Sequence, residues 1–291
     1  MSQAAQLITN GNVSEYWSDH NVTLHKRFSS PEESLAYLAW RNDQYPGYID
    51  LMPVAGHDGK RILDYGCGPG HDLVGFCHHS REAKVVGIDV SFPSLEEAAS
   101  RLNLHSHFAE LVHIGTDTKE LPFASKSFDL VHSSGVLHHT PDPVLIMREL
   151  HRVLADDGEA QIMVYNYESL WLHLYVAFIK MATEGRYKEL DIREAFARTT
   201  DGEDCPIARP YRPSEFAAMC EQVGFEVVSI GCAASAWELH LFARRFEAIM
   251  NPELRPESRQ FLLNLTIDER GIPHHDGLVA GVDLCLRLKK K

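Results

Sequence analysis

Three glycines at alternate positions, Gly66, Gly68 and Gly70, follow the strand-like run Ile62-Leu63-Asp64-Tyr65. A glycine turn between a strand and a helix lets a ligand approach the backbone, and the free N–H groups of the helix start face it. Asp89 ends the next apolar run, Val85-Val86-Gly87-Ile88, 23 positions after Gly66. A carboxylate there can accept both hydroxyls of a ribose. Asp64 stands two residues before the first glycine. An acid at that point suits a cationic ligand with an amino group and would repel a pyrophosphate. A dinucleotide turn needs its third glycine at position 71, where His71 stands, so an NAD-dependent oxidoreductase is disfavoured. Cys67 is a small turn residue whose backbone N–H matters. His138-His139 follow a fourth strand-like run, at the edge where open α/β sheets bind ligands, and one of them offers a general base or a substrate-orienting imidazole.

Strand and helix patterns alternate around these residues. After the glycine turn, Leu73, Val74, Phe76 and Cys77 lie on one helical face. Ser94-x-x-Glu97 has the form of a capping box, and Leu95, Ala98, Ala99 and Leu102 continue as an amphipathic stripe. Residues 111–114 read as a third strand, and Asp129-Leu130-Val131 opens the fourth. Asp142-Pro143 starts a helix that Gly158 is expected to stop, and 161–165 form the fifth strand. Such βαβ alternation predicts a parallel sheet covered on both faces. The period breaks after Asn166. A helical stretch at 170–181 is followed by polar, irregular sequence to Pro213. A helix at 214–223, a strand at 225–230, a helix at 237–250 and a strand at 282–288 complete the chain.

Composition bounds the remaining possibilities. The 291 residues carry 28 Lys plus Arg against 41 Asp plus Glu, a formal charge of -13, so the clustered cationic surface that binds nucleic acid is not expected. With 44% hydrophobic residues the chain is expected to be globular rather than disordered. Six scattered cysteines without a CxxC pair predict a reducing, cytoplasmic setting. No signal peptide is evident in residues 1–12, and the longest apolar stretch, ten residues at 170–179, falls short of a membrane span. Three His-His pairs lack metal-site spacing, so no metal is expected.

The segment Leu63-Asp64-Tyr65-Gly66-Cys67-Gly68-Pro69-Gly70 resembles the first motif of class I S-adenosylmethionine-dependent methyltransferases, in particular the small-molecule group similar to ubiquinone and menaquinone methylases. Gly87-Ile88-Asp89-Val90-Ser91 resembles that family's ribose-binding strand end. Asp117-Thr118-Lys119-Glu120-Leu121-Pro122-Phe123 resembles its adenine loop. Phe128-Asp129-Leu130-Val131, then Ser133-Ser134-Gly135-Val136-Leu137-His138-His139, resemble its fourth strand and the turn after it. The resemblance covers residues 60–166 and implies a Rossmann-like seven-stranded mixed sheet with the last strand antiparallel. It also implies a cofactor, S-adenosylmethionine, held by Asp64, Gly66, Cys67, Gly68, Gly70, Asp89, Val90, Asp117, Thr118, Ser133 and Ser134.

On that reading residues 1–291 form a single methyltransferase domain. Residues 1–58 are a helical N-terminal cap, 59–166 the cofactor-binding core and 167–213 a lid or substrate insertion. Residues 214–235 and 279–291 complete the sheet, and 236–278 are a second helical insertion. His138, His139 and Tyr165 are the candidate catalytic residues. Tyr16, Asn166, Arg209 and Tyr211 are expected at the acceptor. The prolines at 206, 210 and 213 stiffen the display of Arg209 and Tyr211, which suits an anionic or polar small molecule. The oligomeric state is left open. The alternative reading is a non-catalytic protein that binds the cofactor and regulates.

Overall fold

The computed structural model describes residues 10–291; most of the N-terminal segment read for a signal peptide lies outside the described residues. In chain order the strands are β1 (Arg61–Tyr65), β2 (Lys84–Asp89), β3 (Glu110–His113), β4 (Phe128–Ser134), β5 (Leu154–Tyr165), β6 (Phe225–Ala233), β7 (Thr266–Ile267), β8 (Pro273–His275), β9 (Leu278–Val279) and β10 (Asp283–Lys290). Seven of them make one sheet in the order β3-β2-β1-β4-β5-β10-β6. β1 to β5 pair in parallel, and β10 runs antiparallel between β5 and β6. This is the Rossmann-like mixed sheet with an antiparallel last strand. The reversal of strand order beside β1 opens the crevice in which such sheets bind ligands.

Side chains one residue apart in a strand go to opposite faces, which is why the central strands read as continuous apolar runs. Ile62 and Leu130 join the core under α4 (His71–His79) and α5 (Phe92–Leu104), with Leu73, Val74, Phe76, Leu95 and Ala98. Leu63 and Val131 join the opposite core, under α6 (Pro143–Val153) and α8 (Pro213–Gln222), with Met147, Leu150, Phe216 and Cys220. Each fully buried Leu or Phe contributes about 1.5–3 kcal/mol.

The N-terminal cap comprises α1 (Asn10–Asp19), α2 (Pro31–Asp43) and α3 (Tyr48–Leu51). It is fastened to α5 through Glu97, which accepts from Asn21 Nδ2 at 3.0 Å and Thr23 Oγ1 at 2.7 Å and pairs with His25. Glu97 is thus a tether and not half of a capping box. The cap of α5 is Ser91, whose hydroxyl accepts from Ser94 N–H at 3.2 Å, with Pro93 in the first turn. Gly158 likewise does not stop α6. That helix ends at Val153, Leu154 is already extended, and Gly158 lies inside β5, where a register shift against β4 absorbs the extra residues.

The two insertions share a core. The long helix Trp171–Thr183, wound with π-type spacing, packs on α7 (Ile192–Ala197), α10 (Arg245–Met250) and α11 (Pro256–Asn264) through Leu174, Phe178, Phe196, Ala248 and Phe261. The single helix expected at 237–250 is divided into α9 (Ala236–Leu241), a 3-10 turn and α10. After this break Arg245 donates to the Leu262 carbonyl at the end of α11, at 2.7 Å. No helix among the described residues is long and apolar enough to cross a membrane.

Gly66 has φ +75°, and a Cβ there would stand 2.3 Å from Cγ2 of Val136. Gly66→Ala is therefore expected to lower stability by about 1–3 kcal/mol, measured as the urea midpoint. Val136→Ala in the same chain should restore the steric part of that loss. No recovery in the double variant would show that this contact is not the cause.

Candidate active site

One cavity of about 560 Å³ lies along the C-terminal edge of the sheet, within the range of small-molecule sites. Its floor is the glycine turn. Gly66 and Cys67 N–H groups bond the Ile88 carbonyl at 2.8 and 3.0 Å, tying the turn to β2. Asp89 is held from both sides, accepting from Gly68 N–H at 2.8 Å and Ser91 N–H at 2.8 Å. Gly66, Cys67, Gly68, Asp89 and Val90 line the cavity, as do Asp117 and Thr118 in the loop after β3. Gly70 does not. A Cβ on Gly70 would meet Ala98 at 3.0 Å, so this glycine, with φ +82°, allows α4 to approach α5. Ser134 faces the cavity, whereas Ser133, its neighbour in β4, points to the other side of the sheet and is fully buried.

Asp64 also lines the cavity, yet it is 2% exposed and its Oδ2 has no partner. Burial pushes its pKa up to about 7, with nearby Asp72 and Asp89 adding to the rise while His132 and Arg41 oppose it. Asp72, in the first turn of α4, is the opposite case. Burial would raise it, but Arg41 at 2.7 Å and His132 at 3.2 Å hold it well below the usual carboxylate range. Tyr48, hydrogen-bonded to the Ser134 hydroxyl, and Tyr45 complete the wall from the N-terminal cap.

The two histidines divide their positions sharply. His138 is fully buried and absent from the cavity wall; its Nδ1 accepts from Tyr165 N–H at 3.2 Å, and its ring stacks on Tyr165 with centroids 3.8 Å apart. Burial and His139 keep its pKa well below 6.5, so it stays a neutral support. His139 faces the cavity. Its Nδ1 lies 2.5 Å from the Ile207 carbonyl, which can only accept, so the proton sits on Nδ1 and Nε2 carries the free lone pair. Nε2 is 3.9 Å from Asp201 Oδ2, and the other Asp201 oxygen accepts from Tyr165 O–H at 2.8 Å. Burial outweighs Asp201 and the Ile207 carbonyl, leaving the His139 pKa lowered. Trp17 lies against the His139 ring at 4.7 Å.

The residues expected at the acceptor are placed otherwise. Tyr16 donates to the Asp201 carbonyl behind the wall, while its neighbour Trp17 faces the cavity. The Asn166 amide is bound to the Glu168 and Gly281 carbonyls at 2.8 and 2.9 Å. Arg209 reaches the Thr140 carbonyl at 2.7 Å, and its N–H bonds the His138 carbonyl, so it braces the turn carrying the histidines. Tyr211 is buried against Phe216. None of these four lines the cavity. The polar loop after α7 contributes Asp201 instead. Arg41, Tyr45, Tyr48, Asp72, Asp201 and Asp283 are wall residues that motif reasoning does not reach, because each arrives from a segment far from the glycine turn. Among the described residues, His139, Asp201 and Cys205 bring three metal-ligand atoms within 4.8 Å of one another. The Cys205 thiol, however, donates to the Ile207 carbonyl, and burial and Asp201 push its pKa to about 12, which opposes the thiolate a metal would need.

The chain matches a family described as a methyltransferase domain over residues 56–192. It is 30% identical to a ubiquinone biosynthesis O-methyltransferase of Neisseria meningitidis over 192 residues, covering 64% of this chain and 70% of that protein. It is 28% identical to a malonyl-[acyl-carrier protein] O-methyltransferase of Legionella pneumophila, covering 52% of this chain and 49% of that one. The chain spans about half the length of several of these curated relatives. In fold it is similar to an S-adenosylmethionine-dependent methyltransferase from Mesorhizobium loti, with a TM-score of 0.52, 18% identity, and coverage of 84% of this chain and 97% of that one. The glycine turn, the sheet order and these relatives together make the chain a member of the S-adenosylmethionine-dependent methyltransferase family.

Proposed function

We propose that this protein transfers a methyl group from S-adenosylmethionine to an oxygen, nitrogen or carbon atom of a small-molecule acceptor. The observation that carries this reading is a single cavity with an orphaned carboxylate, Asp64, beside the glycine turn and an unprotonated imidazole nitrogen, His139 Nε2, on the acceptor side. These residues fit the cofactor. Asp64 offers an unpaired oxygen to a cationic amino group, Asp89 is fixed at the strand end for the ribose hydroxyls, and Val90, Asp117 and Thr118 flank the adenine position. When bound, S-adenosylmethionine supplies an activated methyl group, so the protein's task is mainly alignment, which is worth roughly 7–11 kcal/mol.

The chain's own residues then act as follows. His139 Nε2 accepts a proton from an acceptor that must lose one. Asp201 favours the imidazolium that results, and the Ile207 carbonyl fixes the ring's tautomer. Trp17 of α1 covers the imidazole and limits water access. His138 and Arg209 are positioning residues that support this turn from behind. The six cysteines are all free, which supports a reducing compartment such as the cytoplasm.

The activity test is incubation with methyl-labelled S-adenosylmethionine and a fractionated metabolite extract. Label in a small-molecule product supports transfer, whereas tight cofactor binding without any product supports the regulatory alternative. Asp89→Asn should weaken S-adenosylmethionine binding by about 10-fold or more in calorimetry, because one acceptor of a charged hydrogen-bond pair is lost. Unchanged affinity would remove Asp89 from the ribose. His139→Gln should lower kcat by roughly 10²–10⁴-fold with cofactor affinity preserved. Since the neutral imidazole is the base and its pKa is lowered, kcat should be level around pH 7 and fall only below pH 6.5 as His139 protonates. A kcat that falls instead as the pH rises would contradict this role.

A further inference from the structure

The charged groups of the cavity are unbalanced. Seven aspartates line it, against one arginine and one lysine. Most of the seven have an occupation. Asp64, Asp89 and Asp117 belong to the cofactor end. Asp72 is paired with Arg41 and His132. Asp142 caps α6, accepting from Leu145 N–H at 3.0 Å. Asp201 and Asp283 remain, both on the acceptor side.

Asp283 begins β10, directly across from Tyr165 at the end of β5. It is 4% exposed, and among the described residues its carboxylate has neither a hydrogen-bond donor nor a salt-bridge partner. The groups facing it are Tyr45, Tyr48, Tyr165, Arg41, Glu238, Cys232 and Cys285. The one cation among them, Arg41, is already committed to Asp72 at 2.7 Å. Glu238 adds a second buried acidic group, bonded to Ser235 and Trp171 N–H. Asp201 has one oxygen on Tyr165, while its Oδ2 is buried without a hydrogen-bond partner, 3.9 Å from His139 Nε2. A buried carboxylate without a counter-charge is costly, and natural interiors pair it.

We propose that the acceptor side of this cavity is a subsite for a protonated amine, recognised by Asp283 and Asp201 within an aromatic wall of Tyr45, Tyr48 and Tyr165. This rests on the reading of the cavity as a methyl-transfer site and names its substrate class. An ammonium group supplies the counter-charge that the protein leaves out, and the tyrosine faces attract a cation. A neutral acceptor would leave both groups without a cationic partner, and an anionic one would be repelled. The burial that raises Asp283 well above the ordinary carboxylate range supports the same reading, since a bound cation would relieve it. The anionic acceptor expected from Arg209 loses its basis, because Arg209 does not line the cavity and its guanidinium is spent on the Thr140 carbonyl.

The test is titration of the full chain by calorimetry with three probes of one shape, benzylamine, benzyl alcohol and benzoate, at neutral pH, with and without saturating S-adenosylhomocysteine. The amine is expected to bind about 10-fold tighter than the alcohol, with benzoate weakest. Asp283→Asn should erase that preference while S-adenosylhomocysteine affinity stays at the parent value. Asp201→Asn, at the cavity rim, is the second variant and should reduce the preference in the same direction. Equal or tighter binding of the alcohol or benzoate, no amine binding at millimolar concentration, or an amine preference that survives both substitutions would overturn the subsite. Absence of S-adenosylhomocysteine binding would instead defeat the methyltransferase reading, and the titrations without it would still judge the amine subsite.

Discussion

The structure depends on how negative charge is held at the C-terminal edge of the sheet. Strand termini and the first turn of α4 bring Asp64, Asp72, Asp89 and Asp283 into one cavity wall, where a buried carboxylate costs several kcal/mol unless something neutralises it. The chain neutralises one of them outright. Asp72 from α4, Arg41 from α2 and His132 from β4 form a triad that joins the N-terminal cap, a helix and the sheet centre. Its charge partners pull in the same direction, with Asp72 held low and His132 raised by Asp72 against the effect of burial. Breaking such a buried set by removing one member typically costs about 3–5 kcal/mol. The other carboxylates are left for backbone N–H groups, as at Asp89, or for a ligand.

Closure of the cavity follows from the same arrangement. The N-terminal cap supplies Trp17, Arg41, Tyr45 and Tyr48, and it is fixed to the sheet by the triad and by Glu97 on α5. The insertion after β5 supplies Asp201 and positions Ile207 against His139. That insertion is held by a core of its own, shared with the segment between β6 and β10. The turn carrying His138 and His139 is therefore gripped from two sides, by Arg209 on its carbonyls and by Tyr165 stacked on His138. A substitution in the insertion core would reach His139 through this contact without touching any ligand.

Local chemistry made part of this legible in the sequence. The glycine turn, Asp89 and Asp64 could be placed because a strand, a tight turn and a helix start each have a short-range signature, and the parallel sheet followed from the alternation around them. What escaped was set by packing between distant segments. Nothing within ten residues of Asp283 marks it as a cavity residue; it becomes one because β10 inserts beside β5. Arg41 reads as an ordinary exposed helix charge until Asp72 lies opposite it. The same reasoning explains the misplacements. Arg209 looked like a ligand-binding arginine, but its donors satisfy carbonyls freed by the 3-10 turn, and Gly158 looked like a helix stop although Leu154 had already turned into the strand. Of the paired histidines, the type alone could not tell which faces the ligand, since one-residue offsets in a tight turn point to opposite sides.

Asp64 is the point at which the fold's charge balance and the proposed cofactor contact meet, so its titration tests the account most directly. With aspartate labelled at the side-chain carboxyl carbon, and Asp64→Asn used to assign the signal, its shift can be followed against pH by carbon NMR. The account predicts a midpoint near 7 in the free protein, far above the ordinary 3.8, and a marked fall when S-adenosylmethionine brings its cationic amino group to the unpaired oxygen. An ordinary midpoint in the free protein, or one that S-adenosylmethionine leaves unmoved, would contradict it.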